Sequence, residues 1–214
     1  MKNLYSHIIW DWNGTLFNDV DWCVDVINSM IQKRNLKTLE SLNDYHKVFC
    51  FPIINYYTNI GFDLKAESFE ALAAEYIELY HSNKSGHCTL HNNAESTLKE
   101  IQNKNITQII LSASQIDNLW LQIGEFDIVQ YFDKILGISD IYATSKIQIG
   151  QEYMRNANVK RAVLIGDTLH DYEVARALDI DCLLIANGHQ NEEYLRTSSV
   201  PVLNDITDVL SYIS

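Results

Sequence analysis

The feature that most constrains the fold of this chain is a series of short apolar segments separated mostly by stretches with helical periodicity. These segments lie at 7–11, 106–111, 134–138, 161–165 and 182–185. A strand that is apolar on both sides is typical of a sheet buried on both faces, and parallel neighbours need a crossover that is usually a helix. The pattern therefore predicts an α/β fold whose core is a doubly wound, Rossmann-like parallel sheet.

One long stretch, 18–85, departs from this alternation. Its apolar residues recur at three- and four-residue spacing over 20–31 and 69–79, which predicts helices, and Phe51-Pro52 and Gly61 interrupt the middle. It contains no convincing strand. We interpret this stretch as an inserted all-helical cap domain.

The predicted domain boundaries follow directly. Residues 1–17 and 86–214 form the α/β core domain, 18–85 the helical cap domain, and the polar segment 81–93 the returning linker. Aromatic residues at helical spacing in the insertion are more typical of the cap's own core than of a ligand pocket, although Tyr56 and Tyr57 stay open as pocket residues. The aromatic set is Tyr56, Tyr57, Phe62, Phe69, Tyr76 and Tyr80.

Charge and composition exclude several kinds of partner. The 214 residues carry a formal charge of −12 and no run of Lys or Arg, which disfavours nucleic acid. No apolar stretch approaches the roughly 20 residues of a membrane span. The four cysteines contain no CxxC pair, which favours free thiols and a cytoplasmic location. Oligomeric state is left open.

Acidic side chains follow two of the predicted strands. Asp11 ends the first apolar segment, while Asp167 and Asp171 follow the segment 161–165. Functional groups of a doubly wound sheet gather at the carboxyl ends of its strands, so these carboxylates are expected to share one crevice. Because bare carboxylates would repel each other there, the sequence predicts a magnesium ion, Mg²⁺, among them.

Hydroxyl and ammonium groups are predicted at the same crevice. Ser112 and Ala113 follow the strand at 106–111, and Lys146 begins the helical segment 145–157. Ser112 with the backbone amides after it could cradle an anion, and Lys146 could neutralise charge shared between Asp11 and a phosphoryl oxygen. The ligand class this favours is a small phosphorylated metabolite.

Four ordered motifs, DWNGTL, ILSAS, Lys146 and IGDTLHD, resemble those of the haloacid dehalogenase superfamily. They span residues 8–171, each near a predicted strand end or helix start. The helical insertion resembles the cap of the phosphoglycolate phosphatase-like branch, and Phe51-Pro52 within KVFCFPIINYY resembles the specificity loop of that branch.

The resemblance implies a role for each matching residue. Asp11 would be the nucleophile that becomes an aspartyl phosphate, and would ligate Mg²⁺ together with Asp167 and the backbone carbonyl of Asn13. Asp171 would be a ligand or a water-mediated partner of the metal. The remaining implied substrate-binding positions are Gly14, Thr15, Ser112, Ala113 and Lys146. The expected activity is a magnesium-dependent phosphohydrolase of the phosphomonoesterase type, with the cap choosing the substrate.

Asn13 departs from the pattern of the superfamily's phosphatases, which usually carry an Asp there to protonate the leaving oxygen. An amide cannot give up a proton near neutral pH. This substitution leaves three explanations open. The substrate has a good leaving group, such as an acyl phosphate, or another group such as His170 supplies the proton; the Asn was introduced to trap a complex; or the protein binds phosphorylated ligands with little turnover.

Two other activities of the superfamily fit the sequence less well. The DWNGT spelling also resembles phosphonoacetaldehyde hydrolase, which lacks the second Asp and uses a cap lysine as a Schiff base. Ile53 occupies the place of that lysine here, although the insertion contains Lys33, Lys37, Lys47, Lys65 and Lys84. Dehalogenation is disfavoured because Asp167 and Asp171 imply a metal that this chemistry does not need.

Simpler interpretations exist for single residues. A lone Asp11 would most often cap a turn, and Asp167 and Asp171 could be acids at a helix N-terminus, but the companion motifs favour the functional interpretation. His87, Cys88 and His91 provide three metal ligands without a fourth nearby, so this segment is predicted to be a linker.

Overall fold

A six-stranded parallel sheet forms the centre of the molecule, with strand order β5-β4-β1-β6-β7-β8. The computed structural model describes residues 4–82, 87–139 and 146–213. All five predicted strands are present, so the predicted fold class is confirmed. The strands of the chain are β1 (His7–Trp10), β2 (Phe17–Asn18), β3 (Thr89–Leu90), β4 (Thr107–Gln115), β5 (Lys134–Ile138), β6 (Ala162–Gly166), β7 (Asp181–Ile185) and β8 (Val202–Leu203).

Ten α-helices lie within the described residues. They are α1 (Val20–Lys33), α2 (Leu42–Val48), α3 (Ile53–Ile60), α4 (Phe69–Ser82), α5 (Ala94–Asn103), α6 (Ile116–Ile123), α7 (Ile147–Asn156), α8 (Leu169–Leu178), α9 (Glu192–Leu195) and α10 (Val209–Tyr212). The helices predicted at 20–31 and 69–79 correspond to α1 and α4, each a few residues longer. None of these helices is long and apolar enough to cross a bilayer.

Both faces of the sheet are buried, which explains the unbroken apolar segments. Successive side chains of a strand point to opposite faces. In β1, Ile8 and Trp10 pack into a cluster on one face, whereas Ile9 packs into the cluster on the other face, which also contains Val174 and Leu178 of α8. Both faces of β1 therefore need apolar residues, so its sequence does not alternate between apolar and polar residues.

The helices α1 to α4 have an apolar core of their own. In α1, Cys23, Ile27 and Met30 recur at three- and four-residue spacing and pack with Leu72 of α4 and Tyr45 of α2. The insertion is thus helical, as the sequence predicts. Its two ends are joined by the short antiparallel pair β2 and β3, which the sequence did not reveal because each strand has only two residues.

Candidate active site

Three buried carboxylates meet at the carboxyl end of the sheet. Asp11 directly follows β1, Asp167 directly follows the neighbouring strand β6, and Asp171 lies in the first turn of α8. Carboxylate oxygens of the three residues lie within 4.8 Å of one another. The order of the strands therefore brings together acids that are about 160 residues apart in sequence.

The ammonium group of Lys146 lies between two of these carboxylates. Lys146 immediately precedes α7, is 1% exposed, and donates hydrogen bonds to Asp11 and, over 2.7 Å, to Asp171 Oδ1. The other oxygen of Asp171 accepts from the backbone amide of Thr168 at 3.0 Å and its hydroxyl at 2.7 Å. Asp171 therefore anchors Lys146 and the start of α8 at once.

The charges within this cluster do not balance, because three carboxylates face one ammonium. Burial, together with the charges of Asp171 and Asp167, raises the pKa of Asp11 to about 8 despite Lys146. Burial also raises the pKa of Asp167 to about 6. Buried oxygen ligands with excess negative charge are the donor set that a hard divalent cation takes, so the residues fit a metal such as Mg²⁺.

Ser112 and Ala113 lie near the end of β4, next to the carboxylates. Ser112 is buried, and its Oγ accepts a hydrogen bond from the backbone amide of Ser114 at 3.0 Å. A hydroxyl that accepts in this way still has its own proton to donate. Ser112, Ala113 and Lys146 all line the cavity above Asp11, where an anion would contact them.

Gly14 and Thr15 lie behind the carboxylates and are not part of the cavity wall. Thr15 Oγ1 donates to Asp167 Oδ1 at 2.9 Å. Gly14 has φ +74°, and a Cβ atom there would stand 2.3 Å from Asp167 Oδ2, so only glycine allows this close approach. Both residues support Asp167, and their role in substrate binding stays a prediction.

Asn13 faces the cavity, and both ends of its amide are engaged. Its Nδ2 donates to Asp19 Oδ2 at 2.7 Å, and its Oδ1 accepts from Ser114 Oγ at 2.7 Å. The amide is therefore held in one orientation by a neighbouring acceptor and a neighbouring donor. An amide satisfies both partners at once, whereas an ionised carboxylate at this position would face Asp19.

Asp19 and His189 form a buried pair that the sequence interpretation missed. His189 Nε2 lies 3.4 Å from Asp19 Oδ1, and the backbone amide of His189 donates to Asp167 Oδ2 at 2.7 Å. Burial lowers the pKa of His189, but the bond to Asp19 and the charges of Asp19 and Asp167 outweigh it and raise the pKa to about 9. His189 lies in the loop after β7, and this loop lies at the same crevice as the loops after β1 and β6. Its position after a strand was therefore the feature of the sequence that could have identified His189.

His170, the residue considered as a substitute acid, stacks on Phe51 with ring centroids 4.6 Å apart. Burial, and then the charge of Lys146, lowers the pKa of its imidazole. A neutral imidazole at pH 7 has no readily released proton, so His170 is a poor general acid in this arrangement. Its Nε2 is buried without a hydrogen-bond partner among the described residues.

The segment His87 to His91 does not assemble as a metal site. His87 stacks on Trp22 with centroids 4.7 Å apart, whereas His91 Nε2 bonds to the carbonyl of Gly14 at 3.1 Å. The two imidazole rings therefore contribute to packing and to the support of the loop at Gly14.

A cavity of about 190 Å³ separates the carboxylates from the helical insertion. Five of the six aromatic residues considered in the sequence line it, namely Tyr56, Tyr57, Phe69, Tyr76 and Tyr80. These five also pack with the apolar cluster of the insertion, as predicted. The prediction was incomplete because the same rings also line the cavity. Ile53 lines the cavity as well, whereas none of Lys33, Lys37, Lys47 and Lys65 does; Lys84 lies outside the described residues.

Comparison with known structures places the fold among haloacid dehalogenase-like proteins. A predicted phosphatase from Clostridium acetobutylicum superposes with a TM-score of 0.83 at 18% identity, covering 98% of both chains. A haloacid dehalogenase-like family protein from Streptococcus pneumoniae gives 0.80 at 18% identity, covering 97% of this chain and 98% of that one. A predicted phosphoglycolate phosphatase from Haemophilus somnus gives 0.79 at 16% identity, covering 97% of each.

No curated protein matches the chain at the level of sequence. The profile of the haloacid dehalogenase-like hydrolase family, in contrast, matches residues 8–185, which include the motifs at Asp11, Ser112, Lys146 and Asp167. A match over most of the chain, together with the shared fold, identifies the family. The chain belongs to the haloacid dehalogenase-like hydrolases.

Proposed function

We propose that this protein is a magnesium-dependent phosphohydrolase that acts on a small phosphorylated metabolite through Asp11. The observation that carries the proposal is the buried cluster of Asp11, Asp167 and Asp171 around Lys146, at the base of a cavity that these four residues help to line. Such a cluster suits transfer of a phosphoryl group, because positive charge beside an attacking carboxylate stabilises the transferring anion.

In the proposed mechanism a carboxylate oxygen of Asp11 attacks phosphorus, and the bond from phosphorus to the leaving oxygen breaks. Lys146 favours the ionised form of Asp11 and holds its carboxylate in place, and Ser112 donates a hydrogen bond to a phosphoryl oxygen. Mg²⁺, held by Asp11, Asp167 and the carbonyl of Asn13, would supply the remaining positive charge. Water then cleaves the aspartyl phosphate, releasing inorganic phosphate and restoring Asp11.

The test is release of inorganic phosphate with and without Mg²⁺ by the wild type and by Asn13→Asp. The substrates are p-nitrophenyl phosphate, an acyl phosphate and an alkyl phosphate. We expect Mg²⁺-dependent turnover, with the alkyl phosphate slowest in the wild type by about 10² to 10⁴ because no general acid assists it. Borohydride reduction during turnover should modify Asp11.

A second candidate function, binding of phosphorylated metabolites with little turnover, is favoured by Asn13 alone. It would give no phosphate release in either variant, together with a rise in Tm when phosphorylated compounds are added. That pair of outcomes would overturn the phosphohydrolase proposal.

Thermal stability should respond to Mg²⁺ in a pH-dependent way. The pKa of Asp11 is raised to about 8 and that of Asp167 to about 6, so in the absence of metal the folded protein binds protons that the unfolded chain has already released. Stability of the metal-free protein should therefore fall as pH rises from about 4 towards 8. Mg²⁺ competes with these protons, so its stabilising effect should grow between pH 6 and pH 8.

Scanning calorimetry at matched ionic strength, with and without Mg²⁺, measures this effect. Asp167→Asn is the control variant, because it removes one carboxylate and should reduce the Mg²⁺-induced rise in Tm. A rise in Tm that is absent, or that shrinks as pH increases, would contradict a metal site made of these carboxylates.

A further inference from the structure

The wall of the cavity opposite the carboxylates is aromatic. Side chains from α2, α3, α4 and the loop after α2 form it, chiefly Phe49, Phe51, Ile53, Tyr56, Tyr76 and Tyr80. The ring centroids of Phe49 and Tyr56 are 5.2 Å apart, and those of Tyr76 and Tyr80 are 6.0 Å apart. Aromatic walls of this kind bind flat apolar groups by burial and by ring-to-ring contact.

No Lys or Arg among the described residues of the cavity is free to bind an anionic substituent. Lys146 is the one Lys or Arg among the described residues that line the cavity, and it is already bonded to Asp11 and Asp171. Arg34 in the insertion is committed to Glu67 and Glu75 at 2.6 to 2.7 Å. His189 also lines the cavity, but its Nε2 lies 3.4 Å from Asp19 Oδ1, so its charge already has a partner. A substrate with a carboxylate at the far end, such as phosphoglycolate, would therefore bury that charge without a free Lys or Arg beside it, which is costly.

The size of the cavity fits one ring. Its volume is about 190 Å³, and an apolar cavity of about 150 Å³ in another protein holds benzene. Tyr56, which forms part of the wall, has a buried hydroxyl without a hydrogen-bond partner among the described residues. That hydroxyl could bond a polar substituent on the ring.

Asn13 points to the same substrate on independent grounds. Asn13 cannot protonate the leaving oxygen, which favours a leaving group that departs readily as an anion. A phenol has a pKa of about 10, far below that of an alcohol, which is close to the value of about 15.7 for water. Phenolate therefore leaves without a proton donor far more readily than alkoxide.

We propose that the substrate is an aryl phosphate, the phosphate monoester of a single-ring phenol, with the ring held in the aromatic wall. In this reaction the bond between Asp11 and phosphorus forms while the bond between phosphorus and the phenolic oxygen breaks. The phenolate leaves with the electron pair and takes its proton from water. Water then hydrolyses the aspartyl phosphate. The inference rests on the phosphohydrolase function proposed above.

Turnover of four substrates tests the leaving group. Phenyl phosphate should exceed benzyl phosphate, which has a ring but an alkyl leaving group, by about 100-fold or more in kcat/KM. Phosphoglycolate and acetyl phosphate complete the set. Asn13→Asp should raise the rate on benzyl phosphate at least tenfold with little gain on phenyl phosphate. An equal gain on both substrates would overturn the proposal. A rate on phosphoglycolate equal to that on phenyl phosphate would also overturn it.

Inhibition by phosphonates, which lack a leaving oxygen, tests the ring alone. Phenylphosphonate should inhibit at a concentration at least tenfold lower than methylphosphonate. Ile53→Lys should make phosphonoacetate a better inhibitor than phenylphosphonate. The matched control Ile53→Met should keep the preference for phenylphosphonate. Equal inhibition by phenylphosphonate and methylphosphonate would overturn ring recognition. If no substrate is turned over and Asp11 is not modified, the phosphohydrolase function itself fails, which is a separate outcome.

Discussion

Replacing Lys146 with methionine is expected to destabilise the protein by about 3–5 kcal/mol and to abolish turnover. The ammonium is the cation that neutralises Asp11 and Asp171, and it is buried with both. Methionine has a similar length but no charge, so two carboxylates would face each other without compensation. Unfolding by urea measures the loss, and phosphate release measures the activity.

Lys47→Met is the matched control. Lys47 is exposed and pairs with Asp44 at 3.4 Å on the surface of α2, where such pairs contribute about 0–1 kcal/mol. The control should therefore unfold at nearly the urea concentration of the wild type. A Lys146→Met protein as stable as Lys47→Met would contradict the buried charge cluster described above, because its carboxylates would then need no cation.

Asp11→Asn is expected to lower kcat by a factor on the order of 10⁴ or more while keeping the fold. The amide cannot attack phosphorus, so no covalent intermediate can form. Removing one negative charge also relieves the repulsion that, with burial, raises the pKa of Asp11 to about 8. The Tm of Asp11→Asn at pH 8 without metal should therefore equal or exceed that of the wild type. Such a gain is common when a residue that serves activity at the expense of stability is replaced.

Phosphate release and calorimetry on the same preparation check both parts. A spectrum of circular dichroism equal to that of the wild type is the control for folding. Turnover of Asp11→Asn within tenfold of the wild type would show that another residue is the nucleophile. A large loss of Tm would show that the carboxylate stabilises the fold.

The sheet was predictable because its central strands, such as β1 and β6, are buried on both faces and so carry an unbroken apolar signal. The sequence pattern did not predict strand segments that depend on pairing with a distant strand. β8 has two residues, and the last four residues of β4, Ser112–Gln115, are mostly polar, so the extension of this strand depends on its pairing with β5. The strand pair β2 and β3 is equally invisible, since its paired residues are 71 to 73 positions apart in sequence.

The candidate site was predictable to the extent that strand ends determine it. Asp11 and Asp167 each directly follow a strand, and Ser112 lies near the end of β4, so sheet order brings them together. Asp19 could not be inferred in this way, because its partner Tyr80 lies 61 residues away and on another helix. The aromatic wall was also ambiguous, since the same rings form the core of the insertion and the surface of the cavity.

The loop after β7, which supports Asp167, also forms hydrogen bonds with the insertion. Tyr45 Oη lies 2.8 Å from His189 Nδ1, and His46 Nε2 lies 3.1 Å from the carbonyl of Gly188, both on α2. His189 in turn donates its backbone amide to Asp167. A displacement of the insertion that breaks these two contacts would therefore act on the loop that holds Asp167. The position of the insertion and the support of this carboxylate share the same few hydrogen bonds.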